Sequence, residues 1–295
     1  MSGDTHRALH SWKESLLVYG RPRVLGMLFL GFSAGLPFLL VFSTLSAWLT
    51  EAGISRSAIG FFSWIGITYS IKIFWAPVVD RLRLPLLHRL LGRRRSWMIL
   101  AQAGIATGLL GMAATDPLHT LPLALFALLV AFGSATQDIS IDAYRIEAVV
   151  EEYQGAMAAM YILGYRLALL VAGAGALYLA DATSWPQAYT IMAFLMGVGM
   201  VTVLVIREPR PQVPPETERR EQDIIRRLES GTRLQRWQHR LVSGFSRSVV
   251  APFVDFFSRN GKLAIIILLL IATFRLTDIT MAIMDNPFSL DLGFS

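Results

Sequence analysis

Seven stretches of this chain are long enough and apolar enough to cross a hydrocarbon layer, and that property removes most folds otherwise open to it. A helix rises 1.5 Å per residue, so about 20 residues cross a layer about 30 Å thick. The stretches run over 24–50, 57–79, 97–114, 121–147, 157–180, 185–206 and 263–284. Inside a bilayer each backbone N–H and C=O must find a partner within the protein, which a helix does by itself. The expectation is an all-α membrane protein. Composition agrees: 16% of the 295 residues are charged, against about 25% in ordinary soluble domains, and mean hydropathy is +0.51. With no cysteine, disulfides, thiolate metal sites and cysteine nucleophiles are excluded. Residues 1–23 are polar and the first apolar run is too long for the core of a cleaved leader, so it is expected to persist as a helix.

The net charge of +6 and pI near 9.9 would suggest nucleic acid in a soluble protein, so the placement of the charges decides their meaning. Of 27 Lys and Arg residues, 22 fall in 1–23, 81–95 and 207–262, the segments on one side of the alternating spans. The other side holds only Arg56, and Lys72, Arg145, Arg166 and Arg275 lie within spans. Basic residues accumulate in cytoplasmic loops, so the N-terminus is expected in the cytoplasm. The charge is a topology signal; no nucleic-acid partner is expected, and the partner is the lipid bilayer.

Six spans, a long basic loop over 207–262 and one further span match the layout of a transporter half followed by the first helix of a second half. The six spans over 24–206 are then expected to form two three-helix repeats, with 1–23 a cytoplasmic N-terminal segment and 263–295 the opening of the second half. An odd span count ending at Ser295 reads as a truncated product. Within the loop, Val250, Phe253, Phe256 and Phe257 recur at helical spacing, consistent with a helix on the inner membrane face or a solvated linker.

WAPVVDR at 75–81 followed by GRRRSW at 92–97 resembles the loop signature that major-facilitator proteins carry between their second and third helices. Asp80 can pair there with Arg81, Arg93, Arg94 or Arg95, and such a charge-assisted contact can latch one conformation as a cytoplasmic gate; the alternative is a plain cluster of loop charges. The strings GLPFLLVFSTLSAWLTEAGI, IGFFSWIG, SATQDISIDAYR, LGYRLALLVAG and DNPFSLDLGFS together resemble AmpG-type muropeptide permeases, relatives of acetyl-CoA transporters. The resemblance implies a bacterial inner-membrane permease importing anhydro-muropeptides, which are amino-sugar peptides, with protons as the coupling partner. Acetyl-CoA or an organic anion is the alternative cargo. A seven-helix receptor fits less well, since the charge bias places the N-terminus inside; an inert fragment is the third reading.

The intramembrane charges speak independently. Asp138, Asp142 and Arg145 are spaced four and three apart, so with Ser134 they share one helical face. A charge in a span costs at least about 2.5 kcal/mol on insertion scales, which favours a protein or water-filled surrounding. Counted from the span ends, Lys72, Asp138, Asp142 and Arg166 lie at depths within about one helical turn, so they are expected to meet. Asp138 and Asp142 are the candidate proton-coupling carboxylates, with Asp138 deeper and Asp142 better placed for Arg145. Lys72, Gln137, Arg145, Tyr165 and Arg166 are candidate substrate contacts, and the cations would leave spare positive charge for an anionic cargo. Static pairs that only hold helices together are the alternative. Arg275 and Asp278, three apart in the seventh span, are further candidate substrate contacts, for which a self-satisfying pair or helix contact is the alternative.

Three motifs fail on context. GFSAG at 31–35 matches a hydrolase elbow but sits inside a continuous apolar run, so Gly31 and Gly35 read instead as a close-packing surface. Gly173-Ala174-Gly175-Ala176 lacks the strand and spacing of a dinucleotide loop and reads as another close-approach surface. The histidines at 6, 10, 88, 119 and 239 have no metal-ligand spacing, so no cofactor and no metal are expected.

Overall fold

The computed structural model describes residues 17–149 and 151–209, and beyond them only short helical pieces between 257 and 273. Among the described residues six helices are long and apolar enough to cross a membrane: α1 (Pro22–Glu51), α2 (Arg56–Phe74), α3 (Arg93–Ala113), α4 (Thr120–Ala148), α5 (Gln154–Ala182) and α6 (Trp185–Val205). Of the expected seventh span, residues 263–270 are described and helical. Arg275, Asp278 and the amphipathic run apart from Phe257 lie outside the described residues, as do 1–16 and nearly all of the central loop.

Local chemistry explains where the helices start. The Ser55 hydroxyl accepts from Ala58 N at 3.3 Å, and the Ser184 hydroxyl accepts from Gln187 N at 3.4 Å with proline in the first turn of α6. Both are N-caps satisfying an otherwise orphan N–H.

The run 57–79 predicts one continuous helix, and here the structure differs. α2 tightens to 3-10 geometry over Ser63–Gly66 and Lys72–Phe74, then breaks at Trp75 before a short helix over Ala76–Arg81. Pro77 accounts for the break, because it has no N–H and its ring clashes with the preceding turn, so it sits only at the start of a new helix. α5 departs the other way, widening to a π turn over Val171–Gly175, the segment read from sequence as a close-approach surface. α1 is interrupted beside it at Phe42. There the Thr44 hydroxyl donates to the Ala172 carbonyl at 2.7 Å, supplying a donor inside the irregular turn. Thr44→Val is expected to lower the melting temperature of the purified chain, for a loss of about 1 kcal/mol.

The helix pairings carry an internal symmetry. α1 packs most extensively on α5, α3 on α4 and α6 on α3, with further contacts of α1 to α6, α1 to α4 and α2 to α4. Exchanging helices one, two and three with four, five and six maps these six pairings onto one another, whereas the contact of α5 with α6 has no α2–α3 counterpart of similar extent. This partial symmetry is the pattern expected of two three-helix repeats, in which an odd number of spans per repeat makes the second run inverted.

The α1–α5 contact rests on missing side chains. A Cβ on Gly31 would strike the Tyr161 carbonyl, one on Gly35 the Tyr165 carbonyl, and one on Gly164 the Leu28 carbonyl. Gly31 and Gly35 therefore form the packing surface expected from sequence, with Gly164 as its counterpart on α5. Two clusters fill the interior, one around Leu36, Leu45, Ile105, Leu109 and Tyr189, the other around Met27, Leu30, Met98 and Tyr144.

Candidate functional site

α2 and α5, the middle helices of the two expected repeats, expose most of their surface. Phe61, Trp64, Ile67, Ile71 and Phe74 stand out from α2, and Ile162, Leu163, Leu167 and Leu170 from α5. The intramembrane charges lie on or beside these helices.

Trp75 Nε1 donates to Thr136 Oγ1 at 3.2 Å and its ring packs 5.0 Å from that of Phe132, which fixes the end of α2 against α4. This docking brings Lys72 to Asp138, with Nζ 3.6 Å from Oδ2. Asp138 is ten residues, about 15 Å, from the end of α4 and lies inside that membrane-length helix. The two side chains are 28% and 15% exposed, so the contact is partly screened. At 3.6 Å it is an ion pair without a short hydrogen bond.

One turn toward the basic end, Arg145 Nη2 lies 3.4 Å from Asp142 Oδ1, and Asp142 is 52% exposed. The Arg145 guanidinium also sits 5.9 Å from the centroid of the Tyr161 ring, which is 6.1 Å from that of Tyr165. Tyr161 thus sits between Arg145 and Tyr165, a place the sequence reading missed. Only its place one turn before Tyr165 could have signalled it.

Two candidates are placed differently. Arg166 is exposed, on the same face of α5 as Ile162, Leu163 and Leu170, and makes no ion pair among the described residues. Depth along a span fixes a level but not an azimuth. The spare positive charge therefore stands apart from the pairs, which balance one to one. Gln137 is completely buried between helices, and neither polar atom of its amide has a partner among the described residues.

At the basic end, Arg94 is almost enclosed, its side chain 7% exposed. Its Nη1 lies 2.5 Å from Asp80 Oδ1 and its Nη2 2.6 Å from Glu147 Oε1, while Arg93 Nη2 reaches the same carboxylate at 3.3 Å. One guanidinium thus ties the segment after α2, the start of α3 and the end of α4. Glu208 accepts from the backbone N–H groups of Arg94 at 2.7 Å and Arg95 at 3.2 Å, and Arg95 donates in return to the Val203 and Leu204 carbonyls at 2.6 and 2.8 Å. Each helix end is capped by a charge from the other, and each charge matches the helix dipole it faces. Gly92, at φ 87, makes room for this, since a Cβ there would meet the Glu208 side chain. Of the loop arginines expected to face Asp80, Arg94 does so; the Arg81 side chain lies outside the described part. Glu147 and Glu208 went unnoticed in the sequence because loop charges were counted for their sign bias alone.

Six membrane-length helices with ion pairs inside the spans and a basic, capped end define a polytopic membrane protein of the transporter class. The model of the Major Facilitator Superfamily matches residues 25–295, and the chain belongs to that family. It is 36% identical over 268 residues to the anhydromuropeptide permease of Escherichia coli, an alignment covering 90% of this chain and 48% of that protein. It is 33% identical over 277 residues to putative transporter AmpG 4 of Rickettsia felis, covering 92% of this chain and 61% of the relative. The chain thus spans about half to three fifths of the length of the relatives it matches.

Proposed function

We propose that this six-helix unit is one wall of a proton-coupled permease that carries anhydro-muropeptides inward across the bacterial inner membrane. The observation that carries the reading is the Lys72–Asp138 pair, held inside the spans between α2 and α4. The similarity to a protein named as an anhydromuropeptide permease supports the cargo. The exposed faces of α2 and α5 are where a second six-helix unit would close the pathway, and Arg166 then faces that pathway and its carboxylate-bearing cargo instead of lipid. Tyr165 and Arg145 line the same region, and Asp142 holds Arg145 in place.

Asp138 is the coupling carboxylate in this reading. Lys72 sits on the 3-10 turn where α2 loses regular geometry, so a shift of α2 separates the ammonium from the carboxylate. Loss of the cation favours the protonated acid, and its return expels the proton. In a two-unit transporter carrying this sequence, Asp138→Asn is expected to abolish accumulation of labelled anhydro-muropeptide under a pH gradient while exchange across preloaded vesicles persists. Normal accumulation by that variant would refute the assignment.

The basic end, with its Asp80, Arg93, Arg94 and Arg95 network, faces the cytoplasm and contributes the gate there. This orientation is tested in a chain without native cysteine by placing one at Arg220. A membrane-impermeant maleimide should label it only after cells are opened, and labelling in intact cells would reverse the topology.

A further inference from the structure

At the basic end a cleft of about 790 Å³ opens between the start of α1, the turn from α4 to α5 and the end of α6. Arg21, Arg23 and Arg207 line it together with Tyr153, Val205 and Ile206, and among the described residues no carboxylate does. The Arg21 guanidinium lies over the Tyr153 ring at 4.2 Å, and Arg23 Nη1 donates to the Ala148 carbonyl at 2.5 Å. The Arg207 backbone is tied in turn, its carbonyl accepting from the Tyr144 hydroxyl at 3.3 Å. None of the three arginines makes an ion pair among the described residues, unlike Arg93 and Arg94 a short way along the same end. Two of the three are anchored by contacts, to a ring face and to a backbone carbonyl, that bring no carboxylate to them among the described residues.

The surroundings specify the anion. The cleft lies where α1 enters and α6 leaves the apolar layer, and among its lining residues the apolar Val205 is 76% exposed. A site for a soluble phosphate has no use for that apolar lining. A molecule with a phosphate at one end and hydrocarbon at the other satisfies both parts, since basic pockets at helix ends receive acidic headgroups while acyl chains follow the apolar flank. We propose that this cleft binds the headgroup of an anionic phospholipid, with Arg21 and Arg207 holding the phosphate and Val205 lying against the chain. The site sits away from the Lys72–Asp138 pair and requires nothing of the transport reading.

The test is native mass spectrometry of the full 295-residue chain, purified in a neutral detergent and offered equal amounts of phosphatidylglycerol and phosphatidylcholine. One phosphatidylglycerol should be retained preferentially, by about tenfold, and Arg21→Gln with Arg207→Gln should reduce the preference to about twofold or less. Arg83→Gln with Arg89→Gln removes the same charge from the same end outside the cleft and should leave the preference intact. If the Arg21/Arg207 variant does not run as a monodisperse species, Arg207→Glu alone is read in its place, with the same expected loss. Equal retention of both lipids by the unmodified chain, or equal loss in the two double variants, would overturn the site. Displacement of phosphatidylglycerol by millimolar inorganic phosphate would make it a free-anion site and overturn the lipid assignment.

Discussion

Gly164→Val should leave almost no folded protein in detergent extracts. At this position on α5 even a methyl group meets the Leu28 carbonyl, a backbone atom that cannot rotate away, and the two helices must part. Overpacking of this kind costs about 3 kcal/mol, enough to unfold a marginal domain, and here it falls on the most extensive helix contact in the unit. Gly31→Ala, which strikes the Tyr161 carbonyl from the opposite helix, should behave in the same direction. Gly104→Ala and Gly197→Ala are the matched controls, because nothing lies within 4 Å of the added carbon at either place. The readout is the fraction of monodisperse protein by size exclusion and its melting temperature. A Gly164→Val protein that purifies and melts like the parent would show that α1 and α5 can separate without loss.

Arg94→Met is expected to be nearly as damaging, for an electrostatic reason. It strands Asp80 and leaves Glu147 with only its 3.3 Å contact to Arg93 at a partly buried helix end, and breaking one partner out of such a network costs about 3–5 kcal/mol. The penalty belongs to the unpaired carboxylates more than to the lost contacts. Combining Arg94→Met with Asp80→Asn and Glu147→Gln should therefore recover most of the loss, whereas adding only Asp80→Asn should recover part of it. Arg94→Lys keeps the charge but cannot reach both carboxylates through separate nitrogens, so its stability should fall between parent and methionine variant. Thermal melts of the five proteins decide the matter. If the triple variant is no more stable than Arg94→Met, the contribution of Arg94 is packing, not charge.

The spans were legible because crossing a membrane demands length and apolarity, and both are one-dimensional properties of a sequence. Each described span begins and ends within about four residues of its apolar run, except where Pro77 divides the second. The breaks themselves were harder to see. The π turn at Val171–Gly175 and the interruption at Phe42 depend on how two helices meet, and neither sequence alone contains that meeting. Counting depth placed Lys72 level with Asp138, and they do lie together; the same count placed Arg166 there, and it faces outward. Gly31 and Gly35 announced a close approach without naming Gly164 as its other half. Glu147 and Glu208 were missed because their work depends on three-dimensional neighbours at helix ends, whereas a topology count weighs only lysine and arginine.

The α1–α5 contact also sets an order of events during synthesis. α1 enters the membrane first, yet the carbonyls and glycines that fit its notch belong to the fifth helix, so most of the chain must be made before the notch can close. Chains grow at about 5–20 residues per second, so α1 waits for several seconds with its backbone-lined groove facing other occupants. Whatever receives the nascent chain must tolerate a helix that is inserted but not yet packed. Slowing elongation between α1 and α5 should lengthen that wait, and a slow stretch placed after α5 should not.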